Sequence, residues 1–142
     1  MPAQSISIVG RSFWRSLSAF AGKLRIVDAR EERGLTLLRE WLSPEQRAQL
    51  DANKHFDVIG CQTGKRYRVS YGSRTNVHEI DDIGRPIMGW CFVPSGHLVA
   101  GDVMLAQKIA LETDELTALA VANRFPAQLR RTSANDLRRR AY

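Results

Sequence analysis

The hydrophobic period of this chain changes at Phe56 and changes back near Asp102, and those two switches constrain the fold more than any other feature. Between them, residues 56–61, 65–71, 76–80 and 87–93 alternate with a period of two or run apolar on both faces. These read as four strands. The breaks are Gln62-Thr63-Gly64, Gly72-Ser73-Arg74 and the stretch Asp81 to Pro86, all turn chemistry and all short. Short connections join antiparallel neighbours, which predicts a four-stranded meander. In the second strand Tyr67, Val69 and Tyr71 face one way and Arg66, Arg68 and Ser70 the other. The fourth is apolar on both faces, as expected of a strand inside the sheet or covered by helices.

On either side of the strands the period is helical. Phe13, Leu17, Phe20, Leu24 and Val27 form an apolar stripe, with Arg11, Arg15 and Arg25 opposite, so residues 11–27 read as a basic amphipathic helix. Residues 28–42 continue helically through Leu35, Leu38 and Leu42, weakened at Gly34 by ~1 kcal/mol relative to alanine. Ser43-Pro44-Glu45-Gln46 is a strong helix start, with Ser43 and Gln46 forming a capping box and proline at the first helical position; that helix ends near Asn53. Beyond the strands Asp102 is the expected N-cap of a helix over 102–112. Thr113-Asp114-Glu115 looks like a fresh cap for another over 114–124, and Phe125-Pro126 closes the ordered part.

The 142 residues suffice for one core and hardly for two. The fold expected is therefore a single α+β domain over 28–125: N-terminal helices, a four-stranded antiparallel β-meander, and C-terminal helices packed on one sheet face. Residues 1–27 are a basic arm and 126–142 an Arg-rich tail. No apolar run approaches the ~18 residues of a membrane span, and two cysteines make no disulfide framework.

Catalytic and metal chemistry is thin. Cys61, His78, Cys91 and His97 supply the donor types of a tetrahedral zinc site, yet no paired spacing pre-organises half of it, so they stand as weak candidates only. The same residues meet the parts list of a Cys–His pair without any nucleophile elbow. The run Gly60 to Arg66 echoes a phosphate-binding loop, but the glycine spacing is one short and Arg66 replaces the magnesium-holding hydroxyl; it reads as a hairpin turn. No catalytic residue and no cofactor is assigned, and the chain is expected not to be an enzyme.

Charge is more informative. The formal net charge of +6 resides at the ends: the first 27 residues carry Arg11, Arg15, Lys23 and Arg25 and no acid, while residues 124–142 carry six arginines against Asp136. The body between them is mildly acidic. Basic ends on such a body are the footprint of contact with phosphate, anionic lipid or an acidic protein. A second basic cluster, Lys65, Arg66, Arg68, Arg74 and Arg85, lies around two hairpin turns and one face of the second strand, with Tyr67 and Tyr71 in the same strand. Basic residues interleaved with aromatics on a sheet hold single-stranded nucleic acid. Tyr67 and Tyr71 share their face with Val69, which argues for the core instead.

Four pieces of the sequence carry a resemblance: Leu42 to Gln49, Phe56 to Gly60, Gly64 to Val69, and the stretch from Trp90-Cys91-Phe92-Val93-Pro94 to Gly101-Asp102-Val103-Met104-Leu105-Ala106-Gln107-Lys108. Over roughly residues 40–125 the chain resembles a family of small uncharacterised bacterial proteins. The resemblance implies no activity, cofactor or site residue.

The function expected is that of a non-enzymatic interaction or accessory module in the cytoplasm, its basic arms contacting a partner protein at an anionic surface. Arg11, Phe13, Trp14, Arg15 and Phe20 would carry the N-terminal contact and Arg130, Arg131, Arg138, Arg139 and Arg140 the C-terminal one. The alternatives are nucleic-acid binding through Lys65, Arg66, Arg68 and Arg74, peripheral attachment to an anionic membrane through the N-terminal helix and, ranked below both, a small enzyme using the Cys/His set.

Overall fold

The computed structural model describes residues 28–127. Helix α1 covers 28–41 and is followed by α2 (Pro44–Asn53), β1 (His55–Ile59), β2 (Arg66–Ser70), β3 (Val77–Ile80) and β4 (Pro86–Cys91). Then come α3 (Ala100–Thr113), α4 (Glu115–Val121) and β5 (Asn123–Pro126). The sheet has five strands, not four, in the order β1-β2-β3-β4-β5, each antiparallel to its neighbour. Pro126, assigned to the tail from sequence, is the last residue of the fifth strand, and the second C-terminal helix stops at Val121 instead of residue 124.

The missed strand has a local cause and a distant one. Ala122 leaves the helix with extended backbone (φ −85°, ψ 146°), and four residues ending in proline are too few to show a period. Its partner lies far back in the chain: Asn123 pairs with Cys91 and Phe125 with Gly89. A Cβ on Gly89 would fall 2.0 Å from the Phe125 ring, so β5 docks where β4 has no side chain. Phe125 then meets His78 edge-to-face across that gap, with ring centroids 5.6 Å apart.

The register sorts side chains onto two faces. Phe56, Val58, Tyr67, Val69 and Val77 point to the helices and form one cluster with Leu38, Leu42, Leu50, Met104, Leu105 and Leu111. Phe56, Tyr67 and Leu38 are wholly buried. Truncating a residue like Phe56 to alanine costs about 3–5 kcal/mol.

The Ser43–Gln46 capping box forms as expected, with Pro44 opening α2. Asp102, by contrast, is not an N-cap. The cap position of α3 is Val99, which offers no side-chain acceptor. Glu31 of α1 substitutes from outside: one carboxylate oxygen accepts from the Ala100 N–H (3.2 Å) and the other from the Tyr71 hydroxyl (2.7 Å). Gly34 shows why a weak helix residue sits mid-α1. A Cβ on Gly101 would lie 2.3 Å from the Gly34 backbone, so the two helices touch main chain to main chain.

Both sheet edges are protected. On β1, Gln46 of α2 donates to the Asp57 carbonyl and Gln49 accepts from the Asp57 N–H, each at 2.9 Å. On the far side β5 is short and carries Arg124 and Pro126, residues that discourage further strand pairing.

Candidate functional site

The β1–β2 turn that resembles a phosphate loop does hold an anion, and the anion belongs to the chain itself. Asp114 breaks α3 from α4 and leaves Glu115 as the first residue of α4, completely buried. Its carboxylate accepts from the backbone N–H groups of Gln62 (2.9 Å) and Thr63 (2.8 Å), from the Thr63 hydroxyl, and from the Tyr67 hydroxyl (2.6 Å). Gln62 returns the contact by accepting from the Leu116 N–H at 2.7 Å. Gly60 faces the carboxylate, and a Cβ there would overlap it at 2.3–2.5 Å.

Burial alone would push the Glu115 carboxyl up. The hydrogen bonds from Thr63, Tyr67 and Gln62 outweigh that and hold it below its ordinary value. Burial, then the bond to Glu115, push the Tyr67 phenol well up. At neutral pH the pair is a carboxylate and a neutral phenol.

Beside this network lies a cavity of about 470 Å³ between α4 and strands β3, β4 and β5. Trp90, Met88 and Leu119 supply its apolar surface, and Ile87 and Leu116 stand at its rim, 52% and 54% exposed. Lys65 pairs with Glu79 across the wall at 3.0 Å. Arg124 of β5 lies over the Trp90 ring, 5.9 Å from its centroid, and has no carboxylate partner among the described residues. Among the described residues the buried Trp90 indole N–H finds no hydrogen-bond partner. The arrangement offers dispersion contacts and, among the described residues, one cation without a carboxylate partner.

The opposite sheet face carries a different set. Asp57 of β1 binds Arg66 (3.2 Å) and Arg68 (2.9 Å) of β2. The same guanidinium groups donate to the carbonyls of Asp82 (3.3 Å) and Gly84 (3.1 Å), tying the β3–β4 turn to the sheet. His78 shares this face through its pairing with Arg68. Burial, and secondly the charge of Arg68, lower its pKa; His55 is lowered by the same two effects.

The basic cluster read from the second strand is therefore divided. Arg66 and Arg68 face one way and are engaged with Asp57, Lys65 reaches Glu79 on the helix side, and Arg74 sits exposed in the β2–β3 turn. Tyr67 is buried on the face opposite the two arginines; Tyr71, expected in the core, lies past the end of β2, half exposed, with its hydroxyl bonded to Glu31. No platform of bases and aromatics forms from these residues.

The metal candidates are likewise scattered. Cys61 is exposed in the β1–β2 turn, His78 lies in β3, Cys91 ends β4 and His97 is exposed before α3. Among the described residues no three His, Cys, Asp or Glu side chains are grouped to hold a metal ion. Arg11, Phe13, Trp14, Arg15 and Phe20, and Arg130, Arg131, Arg138, Arg139 and Arg140, lie outside the described residues. No described helix is long and apolar enough to cross a membrane.

Glu115, Trp90 and Arg124 were not singled out by sequence reasoning. The one signal for Glu115 is its place straight after a helix break, where an acid also serves as an ordinary N-terminal residue. No family model, no curated protein and no solved structure matches the chain.

Proposed function

We propose that the protein is a non-enzymatic interaction module. Its body presents the groove between α4 and the β4–β5 hairpin to a partner protein, while the basic ends add attraction toward an anionic surface. The single observation that supports this is the apolar rim: Ile87 and Leu116, both about half exposed, flank a cavity backed by Trp90, Met88 and Leu119. Large apolar side chains gathered around a concavity favour burial against another surface. The formal charge of +6 agrees with a partner that is acidic or sits at an anionic surface.

Leu116→Asp tests the reading, because an exposed side chain can be replaced with little effect on the fold. In its native cells the wild-type protein is expected to be cross-linked into a larger complex, and the variant to remain alone while melting at the same temperature. A complex retained undiminished by the variant would overturn the groove as the contact. Removing residues 2–27 is expected to weaken the association and make its remainder less sensitive to salt.

A further inference from the structure

We infer that the groove reads a specific pattern in its partner: a large apolar side chain with a carboxylate beside it, on an acidic polypeptide segment. This rests on the interaction reading above and adds the chemistry of what is recognised.

The inference follows from which polar groups are already committed. The hydroxyls of Thr63 and Tyr67, which line the cavity, both donate to Glu115. The Lys65 ammonium is matched by Glu79 at 3.0 Å. The Trp90 indole N–H is buried and presents nothing at the opening. Of the charged groups lining the cavity, that leaves the Arg124 guanidinium without a partner among the described residues. An occupant is therefore gripped by apolar contact with Trp90, Met88 and Leu119 and by one cation at the mouth.

Arg124 is exposed and lies over the Trp90 ring, on a strand paired with β4, so the ring attracts the guanidinium toward the groove. A planar fork so placed matches a carboxylate bidentately, which an ammonium could not do. Tryptophan and arginine together are the residue types that most often dominate binding energy at protein contacts.

Exposure and charge favour a polypeptide. Ile87 and Leu116 line the opening and are about half exposed, apolar surface that an inserted side chain and its chain neighbours would cover together. A second copy of this chain also carries a formal charge of +6, so two copies repel overall, whereas an acidic segment is complementary to Arg124.

The test uses the full chain and four labelled probes. These are an acidic decapeptide with a central Phe flanked by Glu, its twin with Gln at those flanks, its twin with Ala for Phe, and a single-stranded oligothymidylate. Fluorescence anisotropy measures affinity, and amide NMR shifts at Leu116, Leu119 and Trp90 locate the contact. The Phe/Glu peptide is expected to bind there, and each twin to bind roughly five- to tenfold more weakly. In Arg124→Gln the preference for the Glu peptide over the Gln peptide should shrink to the small excess that the overall charge supplies, while the dependence on Phe persists, a split that a merely unfolded variant would not produce.

Equal binding of the Glu and Gln peptides to the wild type would overturn the inference. So would a preference for Glu that survives Arg124→Gln undiminished, or oligothymidylate displacing the peptide from the same amides. If no peptide binds while Leu116→Asp still abolishes the cellular complex, the proposed chemistry fails and the interaction reading stands.

Discussion

The Tyr67 hydroxyl donates a 2.6 Å hydrogen bond to Glu115, 48 residues further along the chain, and both side chains are fully buried. The bond joins the second strand to the start of α4 beneath the groove. It explains how a carboxylate is tolerated when fully buried: the two backbone N–H groups and the Thr63 hydroxyl complete its shell. α4 is only seven residues long, so its position depends on this anchor more than on its own helical stability.

Glu115→Gln should destabilise the fold by about 2–4 kcal/mol, because an amide cannot accept from all of those donors and brings N–H groups of its own. Tyr67→Phe should cost about 1–2 kcal/mol. Urea unfolding at neutral pH measures both. The folded-state pKa of Glu115 is lowered, so its contribution is complete above the ordinary carboxyl range and disappears as pH falls through the folded value. Wild type should therefore lose stability on acidification below about pH 4.5 more steeply than Glu115→Gln.

His78 governs a milder window. Its folded pKa lies below the ordinary value of 6.5, so the unfolded chain takes up a proton first as pH drops. Stability is complete above about pH 6.5 and declines below it until the folded imidazole is protonated too. His78→Gln should flatten the dependence of the urea midpoint below about pH 6.5.

Gly89→Ala should detach β5. The new methyl group would lie 2.0 Å from the Phe125 ring, and the expected cost is about 2–3 kcal/mol. Phe125→Ala in the same chain removes the clash, so the double variant should be less destabilised than the two single effects together. Backbone exchange at Arg124, and at Trp90 opposite it, reports the undocking directly.

Lys54→Gly should stabilise. Lys54 closes α2 in the left-handed region at φ 60°, where a Cβ is a burden and glycine is the usual occupant. Its N–H bonds to Leu50 and its carbonyl accepts from Tyr71 through the backbone alone, contacts that glycine keeps. A gain of about 0.5–1 kcal/mol in thermal unfolding is expected.

How much was legible follows from the range of the interactions. The capping box at Ser43 and Gln46 is a contact three residues long, and the alternation that buries Tyr67 beside Val69 repeats every second residue; both are visible in a short window. Asp114 as the break between two helices is of the same kind. Asp102 misled because it sits where a cap belongs by type, while the acceptor actually serving the Ala100 N–H comes from Glu31, 69 residues away. Lys65, Arg66 and Arg68 read as one basic cluster along the chain, yet pleating and the partners Glu79 and Asp57 divide them between faces.

Amino-acid order alone determined the mixed class of the fold, the antiparallel run from β1 to β4, the capped start of α2 and the concentration of positive charge at the ends. These depend on periodicity, turn residues and composition, which act within a few positions. Only tertiary structure decided that Asn123–Pro126 is a fifth strand, that the false phosphate loop encloses Glu115, and that Trp90 and Arg124 meet beside a cavity. Each of these joins residues more than thirty positions apart, so its energy depends on chain packing and leaves no trace in a local pattern.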